Sequence, residues 1–134
     1  MLRGHVNEHG EPIVHIKLIL GKKQLRLPVV VDTGFNGYLS VPKFLIAQSR
    51  WEWMGFENYE LASGAVVREE VYWGQIVFDR KRTEVYIVAT DSADVLLGTR
   101  LLRRKQLWID FGSGEVRITA GRRSLHGDSY SRRS

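Results

Sequence analysis

Strict two-residue alternation of apolar and polar side chains recurs along this chain, and it predicts strands rather than helices. His15-Ile16-Lys17-Leu18 and Gln24-Leu25-Arg26-Leu27 read as half-buried strands joined by a hairpin turn at Gly21-Lys22-Lys23. Val29-Val30-Val31 is a continuous β-branched run, the pattern of a strand covered on both faces, and it stops at Asp32-Thr33-Gly34. A short strand follows from Tyr38 to Val41. Pro42 then stands where a helix would begin, and Phe44, Leu45 and Gln48 give Pro42 to Arg50 a helical turn or two. Further strands are predicted at Asn58 to Leu61, Ala65 to Tyr72, Gln75 to Phe78 and Glu84 to Val88, with turns at Gly64 and at Asp79 to Arg82. Thr99 to Lys105 reads as a short helix, and 107–119 as a closing hairpin that turns at Gly112-Ser113-Gly114. The dense patch of Trp51, Trp53, Met54 and Phe56 fits neither period; a satellite core, a dimer contact and a peptide subsite all stay open for it. Many short strands punctuated by turns predict an all-β domain, a small closed or nearly closed barrel with one or two short helices.

Composition narrows the setting. At 134 residues and 43% apolar, the chain is sized for one core and not for two lobes. It has no cysteine, which excludes disulfides, thiolate metal sites and a cysteine nucleophile, and which fits a reducing compartment. Met1 to Glu11 is polar, and the run from Ile13 to Leu20 is interrupted by His15 and Lys17 and too short to span a bilayer. A cytoplasmic protein with no membrane partner is the expectation. Most of the net charge of +5 sits in 120–134, where four arginines face one aspartate. The chain therefore divides into a domain at 1–119 and a basic, flexible tail at 120–134. A solvated terminus is the ordinary reading of such a tail, and weak non-specific polyanion binding is the most it would add.

The chemistry centres on Asp32. A buried apolar strand delivers a carboxylate to a turn, and Gly34 allows close approach of the backbone. A charge at the end of such a strand is costly unless paired or protonated. On local sequence alone a turn aspartate bonding its own backbone would explain it equally well. Some sixty residues on, Leu96-Leu97-Gly98 opens a short helix, by itself an ordinary strand-to-helix junction. His5, His9 and His15 do not form a metal site, because Gly4, Gly10 and Pro12 argue against the helix that would bring His5 and His9 together. No Gly-x-Ser-x-Gly elbow or phosphate loop appears, Asp91 and Asp94 read as solvated turn residues, and no metal or other cofactor is called for.

Taken together, a strand ending in Asp32-Thr33-Gly34, a Gly-centred hairpin, and Leu96-Leu97-Gly98 before a helix resemble the retropepsin-like aspartic peptidases in order and spacing. The string Asp-Thr-Gly-Phe-Asn-Gly-Tyr-Leu-Ser-Val-Pro (Asp32 to Pro42), the opening Gly4-His5-Val6-Asn7 and the closing hairpin are similar to a prokaryotic branch of that clan. The resemblance spans about Gly4 to Ile118. It implies an acid-protease barrel that acts as a homodimer on peptide or protein substrates, since the chain has a single Asp-Thr-Gly and the chemistry needs two carboxylates. Asp110-Phe111-Gly112 is rejected as the second motif because the hairpin pattern makes Asp110 a turn residue. The resemblance further implies that Asp32 is catalytic and that Thr33 and Gly34 support it. Asn36 and the flap residues Ala62, Ser63 and Gly64 would contact substrate, and Leu96, Leu97 and Gly98 would lie behind the site. Phe35 departs from the small or hydroxyl residue common in relatives and cannot hydrogen-bond the carboxylate; with Tyr38 it would line a pocket or fill the core. A catalytically silent peptide- or protein-binding module on the same fold, and a basic nucleic-acid-binding β domain, are the competing functions.

Overall fold

The structure, a computed structural model, describes residues 1–121 of the chain. Its strands are β1 (Leu2–Val6), β2 (Pro12–Leu20), β3 (Lys23–Val31), β4 (Leu39–Pro42), β5 (Glu52–Glu60), β6 (Val66–Phe78), β7 (Lys81–Thr90), β8 (Leu96–Leu97), β9 (Lys105–Asp110) and β10 (Glu115–Ala120). One helical turn, α1 (Lys43–Ile46), follows β4, and a 3-10 turn at Thr99–Leu102 follows β8.

Six strands close on themselves in the order β6-β7-β4-β8-β3-β2, the ring being completed by pairing of β2 with β6. Closure works because two long strands each divide one edge between two partners. β2 gives Pro12 and Ile13 to β1 but Lys17 and Leu18 to β6. β6 gives Val66 to Trp73 to β5 but Ile76 and Val77 to β2. The strands β1, β10 and β9 then extend outward from β2 as an antiparallel sheet.

The alternation predicted for β2 fills the barrel, whereas in β3 the continuous valine run does so and Leu25 of the predicted alternation is exposed. Val14, Ile16 and Leu18 of β2, Val29 and Val31 of β3, Leu39 and Val41 of β4, Ile76, Val85, Ile87 and Leu97 are all buried in one cluster. Full burial of each such side chain contributes about 1.5–3 kcal/mol, so this cluster supplies the main driving force for folding.

Several boundaries differ from expectation, each for a local reason. Pro28 does not divide β3. The two-residue loop Gly21-Lys22 makes Leu20 and Lys23 a hydrogen-bonded pair. Alternation then turns the backbone nitrogen of Pro28 to the other edge, where β8 reaches only Val30 and Val31. Strand β6 runs unbroken through Trp73 and Gly74 because Gly74 leaves room for its neighbours. A Cβ there would lie 3.0 Å from Ile87 Cγ1 and 3.2 Å from the Trp51 ring. Trp51 itself is half-buried and donates from Nε1 to the Ile19 carbonyl at 2.9 Å, so this member of the aromatic patch belongs to the core. Trp53, Met54 and Phe56 are exposed on β5, where a bulge between Trp53 and Gly55 breaks the two-residue period. Gly55 holds φ at +104° there. The helices are shorter than expected: α1 is a single turn, closed when Ser49 Oγ donates to the Ile46 carbonyl at 2.7 Å. At the carboxyl end β10 includes Ala120, and Gly121 N–H bonds the Arg104 carbonyl at 2.6 Å. The rest of the expected tail lies outside the described residues.

Candidate active site

The loop from Asp32 to Tyr38 joins β3 to β4, and β8 inserts between those two strands, parallel to β3 and antiparallel to β4. This insertion, which local sequence made look unremarkable, is the main support of the loop. Val30 N–H bonds the Val95 carbonyl and Asp32 N–H bonds the Leu97 carbonyl, both at 2.9 Å. Gly98 N–H bonds the Tyr38 carbonyl and Thr99 N–H the Phe35 carbonyl, again at 2.9 Å. Arg100 adds its backbone N–H to Gly37 O at 3.2 Å and its Nε to Asn36 O at 3.1 Å. Asp32 and all four residues from Phe35 to Tyr38 are therefore tied to the segment Leu97 to Arg100, which fixes where the Asp32 carboxyl stands.

The carboxyl itself is half-exposed at the barrel surface, with Thr33, Gly34 and Asn36 exposed around it. Its Oδ1 accepts the Gly34 N–H at 2.9 Å, and Phe35 N–H bonds the Asp32 carbonyl at 3.1 Å. No hydroxyl of the described residues reaches it. Asp110 shows the same local device: its Oδ1 accepts Gly112 N–H at 2.9 Å and Ser113 N–H at 3.2 Å, and these bonds hold its carboxyl below the usual range. Asp110 closes the hairpin between β9 and β10, as its sequence setting indicates. The turn hydrogen bond thus does not distinguish the two aspartates; the strand lying behind Asp32 does.

Phe35 has a definite place. Its ring lies over Gly37 and Gly98: a Cβ on Gly37 would come 2.5 Å from Phe35 Cζ, and one on Gly98 would come 2.8 Å from Cδ2. Gly98 also backs directly onto Gly37. Phe35 is half-buried in a slot that two glycines open, so it packs the loop against β8 and the 3-10 turn. Tyr38 is half-buried against the core, with the Arg100 guanidinium 5.8 Å from its ring centre. Neither Arg100 nor Gly37 was singled out from sequence; the signal available was Phe35 standing between Gly34 and Gly37, with a further glycine at Gly98.

Ala62, Ser63 and Gly64 form the tip of the β5–β6 hairpin. Leu61 N–H bonds Ala65 O and Gly64 N–H bonds Leu61 O, both at 2.8 Å, with φ of Gly64 at +87°. β7 pairs with β6 only from Val71 onward, so Val66 to Glu70 and their β5 partners make a two-stranded ribbon. Phe56, Leu61 and Val66 are exposed on it, Trp53 and Met54 are exposed just below its base, and Arg68 stacks over Phe56 at 3.7 Å. Tyr59 donates its hydroxyl to Glu57 at 2.5 Å, and burial followed by that carboxylate pushes its pKa up. Among the described residues no three His, Asp or Glu side chains converge as a metal site, and no helix is long and apolar enough to cross a membrane.

The fold is shared with solved structures. The EIAV protease complexed with an inhibitor superposes with a TM-score of 0.58, covering 72% of this chain and 89% of that one at 14% identity. The solution structure of simian foamy virus (mac) protease gives 0.53, covering 68% and 91% at 14% identity. The fold is therefore that of the retropepsin-like aspartic proteases. No family model matches the chain, and no curated protein matches it.

Proposed function

We propose that the chain is one half of a homodimeric aspartic endopeptidase in which two copies of Asp32 share a site. The observation that carries this reading is the Asp32 to Tyr38 loop, braced through β8 on an acid-protease barrel and offering one half-exposed carboxyl per chain. A two-fold axis through the loop would bring Asp32 against its twin, an isologous contact of the kind C2 dimers make. Two carboxyls within a few ångströms cannot both ionise readily, so they hold one proton between them and titrate as a pair. The ionised partner takes a proton from a water, which attacks the scissile carbonyl. The protonated partner donates to the carbonyl oxygen as charge builds there. Thr33 and Gly34, exposed beside the carboxyl, would meet the partner loop and the peptide. The β5–β6 ribbon supplies a flap that would cover an extended peptide by strand addition and exclude water.

A second reading, a peptide-binding module without catalysis, draws support from the carboxyl's surroundings, where Phe35 brings no hydroxyl to Asp32. One comparison separates the two. Peptide cleavage is assayed at acid pH for the parent and for Asp32→Asn, with mass in solution measured in parallel. Asparagine still accepts the Gly34 N–H, so the variant should fold and dimerise while losing activity about a thousandfold or more. A dimer that binds peptide but cleaves none at any pH supports the second reading. A stable monomer defeats the enzymatic one.

A further inference from the structure

Just past the junction of β2 with β1, the barrel carries an opening that no part of the proposed reaction uses. On its outer edge β2 pairs with β1 only through Ile13 and with β6 only from Lys17, so the ladder is interrupted at 14–16. The alternation that places Pro28 also turns the backbone N–H and C=O of His15 into this gap. A cavity of about 290 Å³ lies there, lined among others by Arg3, His15, Lys17, Arg26, Asp79 and Arg80. That volume is at the small end of ligand sites.

Its charge is one-sided. Arg3 is engaged by Glu115 at 3.4 Å, and the single acid, Asp79, lies 3.3 Å from the amino group of Met1. Lys17, Arg26 and Arg80 make no ion pair among the described residues. Lys17 and Arg26 stand directly opposite each other on β2 and β3, a like-charge pairing that sheets normally avoid. Arg80 sits in the two-residue turn between β6 and β7 with φ at +69°, beside Asp79 at +48°. Glycine is the favoured residue at that second turn position, and an arginine there is a strained choice that puts a guanidinium at the cavity mouth. The fold thus tolerates two local costs that both concentrate positive charge on one opening. His15 reports the same field: burial, then Arg26 and His5, hold its imidazole below the ordinary value.

We propose that this cavity binds a small molecule carrying clustered phosphoryl groups, gripped by Lys17, Arg26 and Arg80. Phosphoryl oxygens match guanidinium donors in charge and geometry, and two linked phosphoryls would span the Lys17–Arg26 pair and the Arg80 turn. The site lies apart from the Asp32 loop and does not depend on the peptidase reading.

The test titrates inorganic pyrophosphate into the full chain at moderate salt, reading heat and the His15 ring protons by NMR. Saturable binding is expected, with the His15 pKa rising as an anion joins the cations around it: Arg3 and His5 of β1, Lys17, Arg26 and Arg80. Arg26→Gln and Arg80→Gly should each weaken binding about tenfold. Arg80→Gly relieves the strained turn and should melt no lower than the parent, so loss of binding in it is not loss of fold. Adenosine triphosphate in a parallel titration separates the sources: equal affinity means that phosphoryls alone are read, tighter affinity that a nucleotide carries them. Absence of saturable binding overturns the proposal. So does binding that both variants leave unchanged, and so does tighter binding of single-stranded RNA that grows with its length.

Discussion

Replacing Gly98 by alanine tests the packing that positions Asp32 without touching the carboxyl. Gly98 has φ −93° and ψ 174°, extended backbone that alanine adopts freely, so any cost must be steric. A Cβ there would sit 2.8 Å from the Gly37 carbonyl carbon and 2.8 Å from Phe35 Cδ2, and closer still to the Gly37 oxygen. Backbone cannot swing aside as a side-chain tip can. The loop and the segment Leu97 to Arg100 must therefore separate, which strains or breaks the bonds Gly98 N–H to Tyr38 O and Arg100 N–H to Gly37 O. Overpacking of this kind costs about 1–3 kcal/mol, and each weakened hydrogen bond adds about 1 kcal/mol. A total of about 3–5 kcal/mol is a large share of an ordinary domain's stability and corresponds to a fall in Tm of roughly 10–25 °C. Thermal unfolding by circular dichroism measures it, with Gly64→Ala as the control. At Gly64 nothing lies within 4 Å of the new Cβ and only the positive φ is strained, so that variant should lose about 1 kcal/mol. Gly98→Ala melting as close to the parent as the control does would refute the claim that contact between these two segments holds the loop.

Three further outcomes are expected. Trp51→Phe removes the donor to the Ile19 carbonyl while keeping most of the ring, and urea unfolding should show a loss of about 1–2 kcal/mol with an unchanged slope. His15 has a depressed folded-state pKa, so its contribution to stability is complete above its unfolded value near 6.5 and is lost as pH falls through the folded value. The stability difference between the parent and His15→Gln should therefore be flat above about pH 7 and shift against the parent below about pH 6. Phe35→Ala empties the slot over Gly37 and Gly98 and should cost about 2–4 kcal/mol in urea unfolding; a near-neutral result would mean that the ring is dispensable to the loop.

The parts of the fold legible in sequence were those where one residue's environment is set by its immediate neighbours. The β2–β3 and β9–β10 hairpins, the end of β3 and the start of α1 at Pro42 are of this kind. What stayed hidden depends on distant partners. Pro28 looks like a strand break until one knows that the facing edge of β3 is open at that point. Trp51 to Phe56 shows no period because a bulge at Gly55 shifts the register against β6, and because Trp51 alone turns inward to reach Ile19. The closed ring requires β2 to change partners midway, which no local pattern encodes.

The same division runs through the candidate site. Asp32 and Asp110 each precede a glycine by two residues and each accept that glycine's N–H at 2.9 Å. That shared bond therefore does not tell them apart, and long-range order does. Behind Asp32 lies a two-residue strand, too short to have any period; its Leu97 carbonyl accepts the Asp32 N–H, and the preceding Val95 carbonyl accepts the Val30 N–H. Leu96-Leu97-Gly98 gains its meaning from that contact: the leucines form the strand, and the glycine, being without a side chain, lets Phe35 and Gly37 close over it. Phe35, which looked like a defect when judged against a hydroxyl, is the third part of this clasp. A loop held so tightly by packing has little need of a hydroxyl to fix its direction, and the carboxyl is left with unfilled acceptor capacity toward solvent. That spare capacity is what a second carboxyl sharing a proton would occupy.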